Sequence, residues 1–134
     1  MKKSFAVVGL GRFGTNVALT LMESGAQVLA IDSDPECVKR ISSRVTCAVT
    51  VNVCETESLK EAGLENMDGV VVAMGDNLEA SAMTIITAKE LGVPYILAKS
   101  NNDEAAKILS KIGADKVIYP EKDAGINVAR KLLC

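Results

Sequence analysis

Gly9-Leu10-Gly11-Arg12-Phe13-Gly14 has the residue types and spacing to hold a phosphate group. Gly9 allows a tight turn off the apolar run Phe5-Ala6-Val7-Val8. Gly11 leaves room for a diphosphate to approach the backbone. Gly14 lets the following helix pack close to a sheet. The N-terminus of that helix offers free N–H groups and a partial positive charge. Asp32 ends the next apolar run, Val28-Leu29-Ala30-Ile31, and stands 18 residues beyond Gly14. A carboxylate there can accept hydrogen bonds from both ribose hydroxyls, and with Asp34 it would repel a 2′-phosphate and so exclude NADP. Arg12, between the second and third glycines, can pair with a terminal phosphate or reach a ligand in a neighbouring subunit. A solvated surface arginine is the plainer alternative.

These groups need a scaffold that brings strand ends together. Further apolar runs cover residues 47–51, 70–74, 95–98 and 116–119. They do not alternate, as expected of strands buried on both faces of a parallel sheet. Helical patterns lie between them. One carries Phe13, Val17 and Leu21 and stops at Gly25. The next opens at Asp34-Pro35, and later ones span 55–62, 77–91, 103–112 and 121–133. The pattern predicts a Rossmann-type α/β fold: a doubly wound, six-stranded parallel sheet in order 3-2-1-4-5-6 with helices on both faces. In the fourth helix Leu78, Ala82, Ile85 and Ile86 are expected to face the sheet. Ala80, Met83 and Thr87 then make a second uncharged face suited to a dimer partner. The last helix shows a stripe of Ala124, Val128 and Leu132, with Ile126 outside it.

The chain has 134 residues, the size of a single domain. A net charge of −2 gives no reason to expect a nucleic-acid partner. There is no histidine, which excludes a His-based catalytic relay or metal site. Cys37, Cys47, Cys54 and Cys134 form no CxxC pair and read as buried small hydrophobes plus one terminal thiol. The glycine-interrupted N-terminus predicts neither a signal peptide nor a membrane span, hence a cytoplasmic protein.

GLGRFG, followed by LAIDSDPECV, VAMGDN, KIGAD and YPEKDAG, resembles the N-terminal lobe of RCK (KTN) domains, the TrkA-N family, from Ser4 to about Leu133. The resemblance implies a non-enzymatic protein that binds ATP and ADP, or NAD(H), and gates a potassium-translocating membrane subunit as a dimer or, in full-length members, an octameric ring. It places the protein at the inner face of the cell membrane through that partner. It implies that Gly9, Gly11 and Gly14 hold the diphosphate, with Arg12 at a terminal phosphate. Asp32 would hold the ribose and Asn52 lie by the adenine. Ala73, Met74 and Gly75 would line the crevice. Lys99 matches a family lysine, and Glu121 a glutamate tied to a divalent cation such as Mg or Ca. Glu121 reads equally as a first-turn acid favourable to its helix. Phe13, inside the loop, and Ser33, beside Asp32, complete the candidate nucleotide contacts. Full-length members continue into a smaller C-terminal lobe, which is expected to be absent here. Two other functions stay open: the cofactor-binding half of an NAD-dependent oxidoreductase, and a redox sensor that distinguishes NADH from NAD without transferring hydride.

Overall fold

The computed structural model describes residues 2–134. Six strands, β1 (Ser4–Val8), β2 (Gln27–Asp32), β3 (Cys47–Thr50), β4 (Gly69–Val72), β5 (Ile96–Lys99) and β6 (Lys116–Ile118), form one sheet in the order β3-β2-β1-β4-β5-β6. All five pairings are parallel, with Val8 of β1 level with Ile31 on one side and Val72 on the other. This is the predicted fold.

The apolar runs bury both faces of the sheet. Ala6, Val8, Leu29 and Ile31 enter one core, and Val7, Val28 and Ala30 enter the other. Helices α1 (Arg12–Glu23) and α2 (Pro35–Ile41) cover the second face. Helices α3 (Thr56–Glu61), α4 (Leu78–Glu90) and α5 (Asp103–Ile112) bring Leu59, Ile85 and Leu109 to the first. A 3-10 turn, Ser42–Arg44, extends α2.

The inward face of α4 differs from the expectation. Ala80, Ser81, Thr84, Ile85, Thr87 and Ala88 are buried, whereas Leu78 and Ile86 are exposed. Small side chains let the helix backbone approach the sheet. Two of the three hydroxyls among them find local acceptors: Thr84 Oγ1 donates to the Ala80 carbonyl at 2.8 Å and Ser81 Oγ to the Met74 carbonyl at 2.9 Å, while the buried Thr87 Oγ1 has no partner.

The last helix, α6 (Pro120–Leu133), also departs from the expected packing. Every residue from Glu121 to Cys134 is exposed, including Val128 at 58% and Leu132 at 81%. The stripe of Ala124, Val128 and Leu132 therefore meets no part of the sheet. On that side of the sheet Val71 and Leu97 stay half-buried. The cysteine expectation holds for the exposed terminal thiol of Cys134 and fails for the others: Cys37 and Cys54 are half-buried and Cys47 is exposed. Cys47 opens the edge strand β3, which has a neighbour on one side only.

Candidate nucleotide site at the carboxyl ends of the strands

The sheet order sets the candidate residues in a row along one edge. Asn52 follows β3, Asp32 and Ser33 end β2, and the glycine loop follows β1. Ala73, Met74 and Gly75 follow β4, Lys99 ends β5, and Glu121 lies just past β6. The chain turns outward in opposite senses after β1 and β4, which opens the crevice where such sheets bind ligands.

Each glycine of the loop meets a different constraint. Gly9 has φ +102°, and a Cβ there would lie 2.8 Å from Met74 Cγ and 2.9 Å from the Ala73 carbonyl oxygen. A Cβ on Gly14 would strike the Gly9 carbonyl oxygen and come within 3.2 Å of the Ala73 Cβ. Nothing lies within 4 Å of a Cβ on Gly11, so the space above its backbone is open.

That space faces the start of α1. No side chain caps this helix, while Asp34, Asn77 and Asn102 cap α2, α4 and α5. Among the described residues α1 is also the one α-helix with no acid in its first turn. Its first N–H groups and the positive end of its dipole stay uncompensated, the condition for holding an anion.

Asp32 is fixed by the backbone. Its Oδ2 accepts from the Leu10 N–H at 2.7 Å and its Oδ1 from the Asp34 N–H at 2.9 Å. One carboxylate thus ties the glycine loop to the end of β2 and keeps a further lone pair on each oxygen for a ligand. Ser33 beside it is exposed. Exposed Asn52 turns inward on its own loop, its Oδ1 accepting from the Cys54 N–H at 3.1 Å.

On the other side of the loop, Lys99 Nζ lies 5.5 Å from the centre of the Phe13 ring, a cation–π distance. Gly75 makes the approach possible, because a Cβ there would lie 2.7 Å from Lys99 Cε. Lys99 and Gly75 also line a cavity of about 490 Å³ with Asp76, Asn101, Tyr119 and Glu121. Glu121 therefore joins the crevice. Asp76, Asn101 and Tyr119 were missed from the sequence, although their places just after β4, β5 and before α6 put them on the same edge. The Tyr119 phenol is pushed above the ordinary tyrosine range, first by desolvation and then by the Asp103 carboxylate beside it. Among the described residues no three carboxylates or thiols gather closely enough to hold a metal ion.

Two features do not belong to this crevice. Arg12 is exposed on the α2 side of the loop, in a separate groove. Cys37 lies there too, its thiol pushed up by burial and by the charges of Asp32 and Asp34, against the lowering effect of Arg40. A raised thiol leaves less thiolate near neutral pH. Cys37 should therefore be alkylated by iodoacetamide several-fold more slowly than Cys47 or Cys134 at pH 8, read by peptide mass spectrometry.

The TrkA-N domain model matches residues 5–120. This chain belongs to the TrkA-N family. The TrkA-N chain is 43% identical over 133 residues to Ktr system potassium uptake protein C of Bacillus subtilis, covering 99% of this chain and 60% of the relative. It is 44% identical over 131 residues to Ktr system potassium uptake protein A of Vibrio alginolyticus, covering 98% of this chain and 60% of that relative. This chain thus spans about 60% of the length of these relatives.

Solved structures share the fold. The TrkA-N domain of the inner membrane protein ybaL from Escherichia coli superposes with a TM-score of 0.82 at 22% identity, covering 99% of this chain and 96% of that one. The Kef C-terminal domain of Shewanella denitrificans in its AMP-bound form gives 0.77 at 20% identity, over 98% and 81% of the two chains. The GsuK channel bound to NAD gives 0.74 at 12% identity, over 88% and 21%.

Proposed function

We propose that this chain is the nucleotide-binding module of a regulatory subunit in a potassium uptake system. The uncapped, acid-free start of α1 beside the backbone-anchored Asp32 carries this reading. That pair supports a phosphate site next to a ribose site, the two joined by the Leu10 N–H bond to Asp32 Oδ2. Membership of a family with potassium uptake proteins supplies the process.

The ligand is ATP or ADP. Gly9, Gly11 and Gly14 shape the diphosphate loop, with Phe13 beside it. Asp32 and Ser33 hold the ribose and Asn52 flanks the adenine. Ala73, Met74 and Gly75 wall the crevice. Lys99 and Glu121 face the far phosphates. A divalent cation fits only with help from the ligand: Glu121 supplies one carboxylate and the phosphate oxygens the remaining bonds, as magnesium commonly accepts.

Arg12 is exposed and lines a different groove from the cavity of Lys99 and Glu121, which supports contact with a ligand in a second copy of the chain. The exposed apolar surfaces of α4 and α6 support a homodimer, extended to a ring in the full-length protein. The module works at the inner membrane face through its potassium-translocating partner, and its role is regulation, not catalysis. Gating requires a ligand that prefers one subunit arrangement. A hundredfold preference supplies about 2.7 kcal/mol.

The γ-phosphate separates ATP from ADP, so Arg12→Ala should weaken ATP at least fivefold while leaving ADP nearly unchanged in calorimetric titration. An unchanged ATP-to-ADP ratio would remove Arg12 from the mechanism. A second reading, NAD(H) sensing, is favoured by the 490 Å³ cavity beyond Gly75, which has room for a second nucleotide half. The GsuK channel, of the same fold, binds NAD.

A further inference from the structure

A groove of about 550 Å³ runs between α1 and α2, on the opposite side of the glycine loop from the Lys99 cavity. Three arginines line it from three elements: Arg12 from the start of α1, Arg40 from α2 and Arg44 from the 3-10 turn. No Asp or Glu lines it. Among the described residues none of the three guanidiniums has a carboxylate within 4.0 Å, the ion pairs being Lys60 with Glu57 and Glu90. In a chain of net charge −2, three unpaired arginines around one concavity repel one another and set up a local positive field.

The groove also holds one of its arginines in place. Arg40 Nη2 donates to Cys37 Sγ at 3.1 Å, which lays the guanidinium against α2. Two acids stand beside the groove, both held by backbone N–H groups: Asp32 Oδ2 accepts the Leu10 N–H at 2.7 Å, and Asp34 Oδ1 accepts the Glu36 N–H at 2.9 Å, with Asp34 Oδ2 3.6 Å from Cys37 Sγ. The exposed Gly11 backbone forms the floor toward the loop, and Asn16 adds a neutral amide. Guanidinium forks match phosphate oxygens two at a time.

We propose that this groove is a second anion site, for a phosphate-bearing ligand, separate from the ribose site at Asp32. It shares Gly11 and Arg12 with the loop but stands without the nucleotide reading, because Arg40 and Arg44 have no part in that site. The anion is a free polyphosphate or the phosphate headgroup of an anionic lipid.

The test compares the intact chain, the Arg40→Ser/Arg44→Ser variant and a charge-matched control on α5, Lys107→Ser/Lys111→Ser. Each is titrated with inorganic tripolyphosphate by calorimetry. Each is also co-sedimented with phosphatidylglycerol vesicles and with phosphatidylcholine vesicles. ATP-induced thermal shifts are recorded in parallel. The expected result is at least tenfold weaker binding of one anionic probe by the arginine variant, with the control unchanged. Loss confined to tripolyphosphate assigns a soluble anion, and loss confined to phosphatidylglycerol assigns a headgroup. If ATP shifts none of the three chains while the arginine effect persists, the nucleotide reading fails and the groove stands. If neither probe distinguishes the arginine variant from the control, the second site is overturned.

Discussion

Gly14→Ala is expected to lower stability by about 2 kcal/mol and the melting temperature by about 8 °C. Helix propensity alone predicts the opposite, a gain of about 1 kcal/mol for alanine in a helix. Packing decides the sign. The added Cβ would meet the Gly9 carbonyl oxygen and the Ala73 Cβ, neither of which is the end of a flexible side chain. Relief requires α1 to lift from the loop, which moves the phosphate-binding N–H groups as well. Gly11→Ala is the matched comparison. Its Cβ enters open space, so stability should change by less than about 0.5 kcal/mol. Nucleotide affinity should still fall, because the same space is where a phosphate approaches. Chemical denaturation of both variants checks the pair, and a stabilised Gly14→Ala variant would refute the close approach of α1 to the loop.

Asp32→Ala carries the largest expected effect on binding. The carboxylate accepts two backbone N–H groups, from Leu10 and Asp34, and is the group proposed to hold the ribose. Hydrogen bonds to a charged partner contribute about 1.5–3 kcal/mol, so ATP and ADP should bind roughly ten- to a hundredfold more weakly. Stability should fall by about 1–2 kcal/mol, since the half-buried Leu10 N–H loses its acceptor. Removing the charge also removes repulsion of a 2′-phosphate, so the variant should discriminate less between NADH and NADPH. Calorimetry well below the melting temperature separates the two losses. Full nucleotide affinity in Asp32→Ala would move the ribose elsewhere.

The sheet and its ligand edge were legible because their signals are local. Apolar runs of four or five residues ending at Gly9, Asp32 or Gly75 fix both the strand and the point where the chain leaves it. The glycine loop reads clearly because each position has a steric reason to lack a side chain. The inward face of α4 was misread for a physical reason. Hydrophobic periodicity selects Leu78 and Ile86, yet close packing selects Ala80, Ser81, Thr84 and Ala88, whose hydroxyls are satisfied nearby. Polar and small residues hide such a face from any hydropathy argument. The α6 stripe was misread differently: its apolar residues are real, but within one chain they meet no sheet surface. Arg40 and Arg44 escaped notice because their convergence with Arg12 depends on how α2 packs beside α1, and spacing alone does not show that.

The crevice at the end of β1 is proposed to bind an adenine nucleotide. The direct measurement is a thermal-shift series on this chain with ATP, ADP, NAD, NADH and NADPH, each with and without magnesium. At 100 times its dissociation constant a ligand adds about 2.7 kcal/mol, which raises the melting temperature by several degrees. Such a shift is expected with ATP and ADP, altered by magnesium, and none with NADPH. Flat traces with all five nucleotides, with and without magnesium, would contradict it.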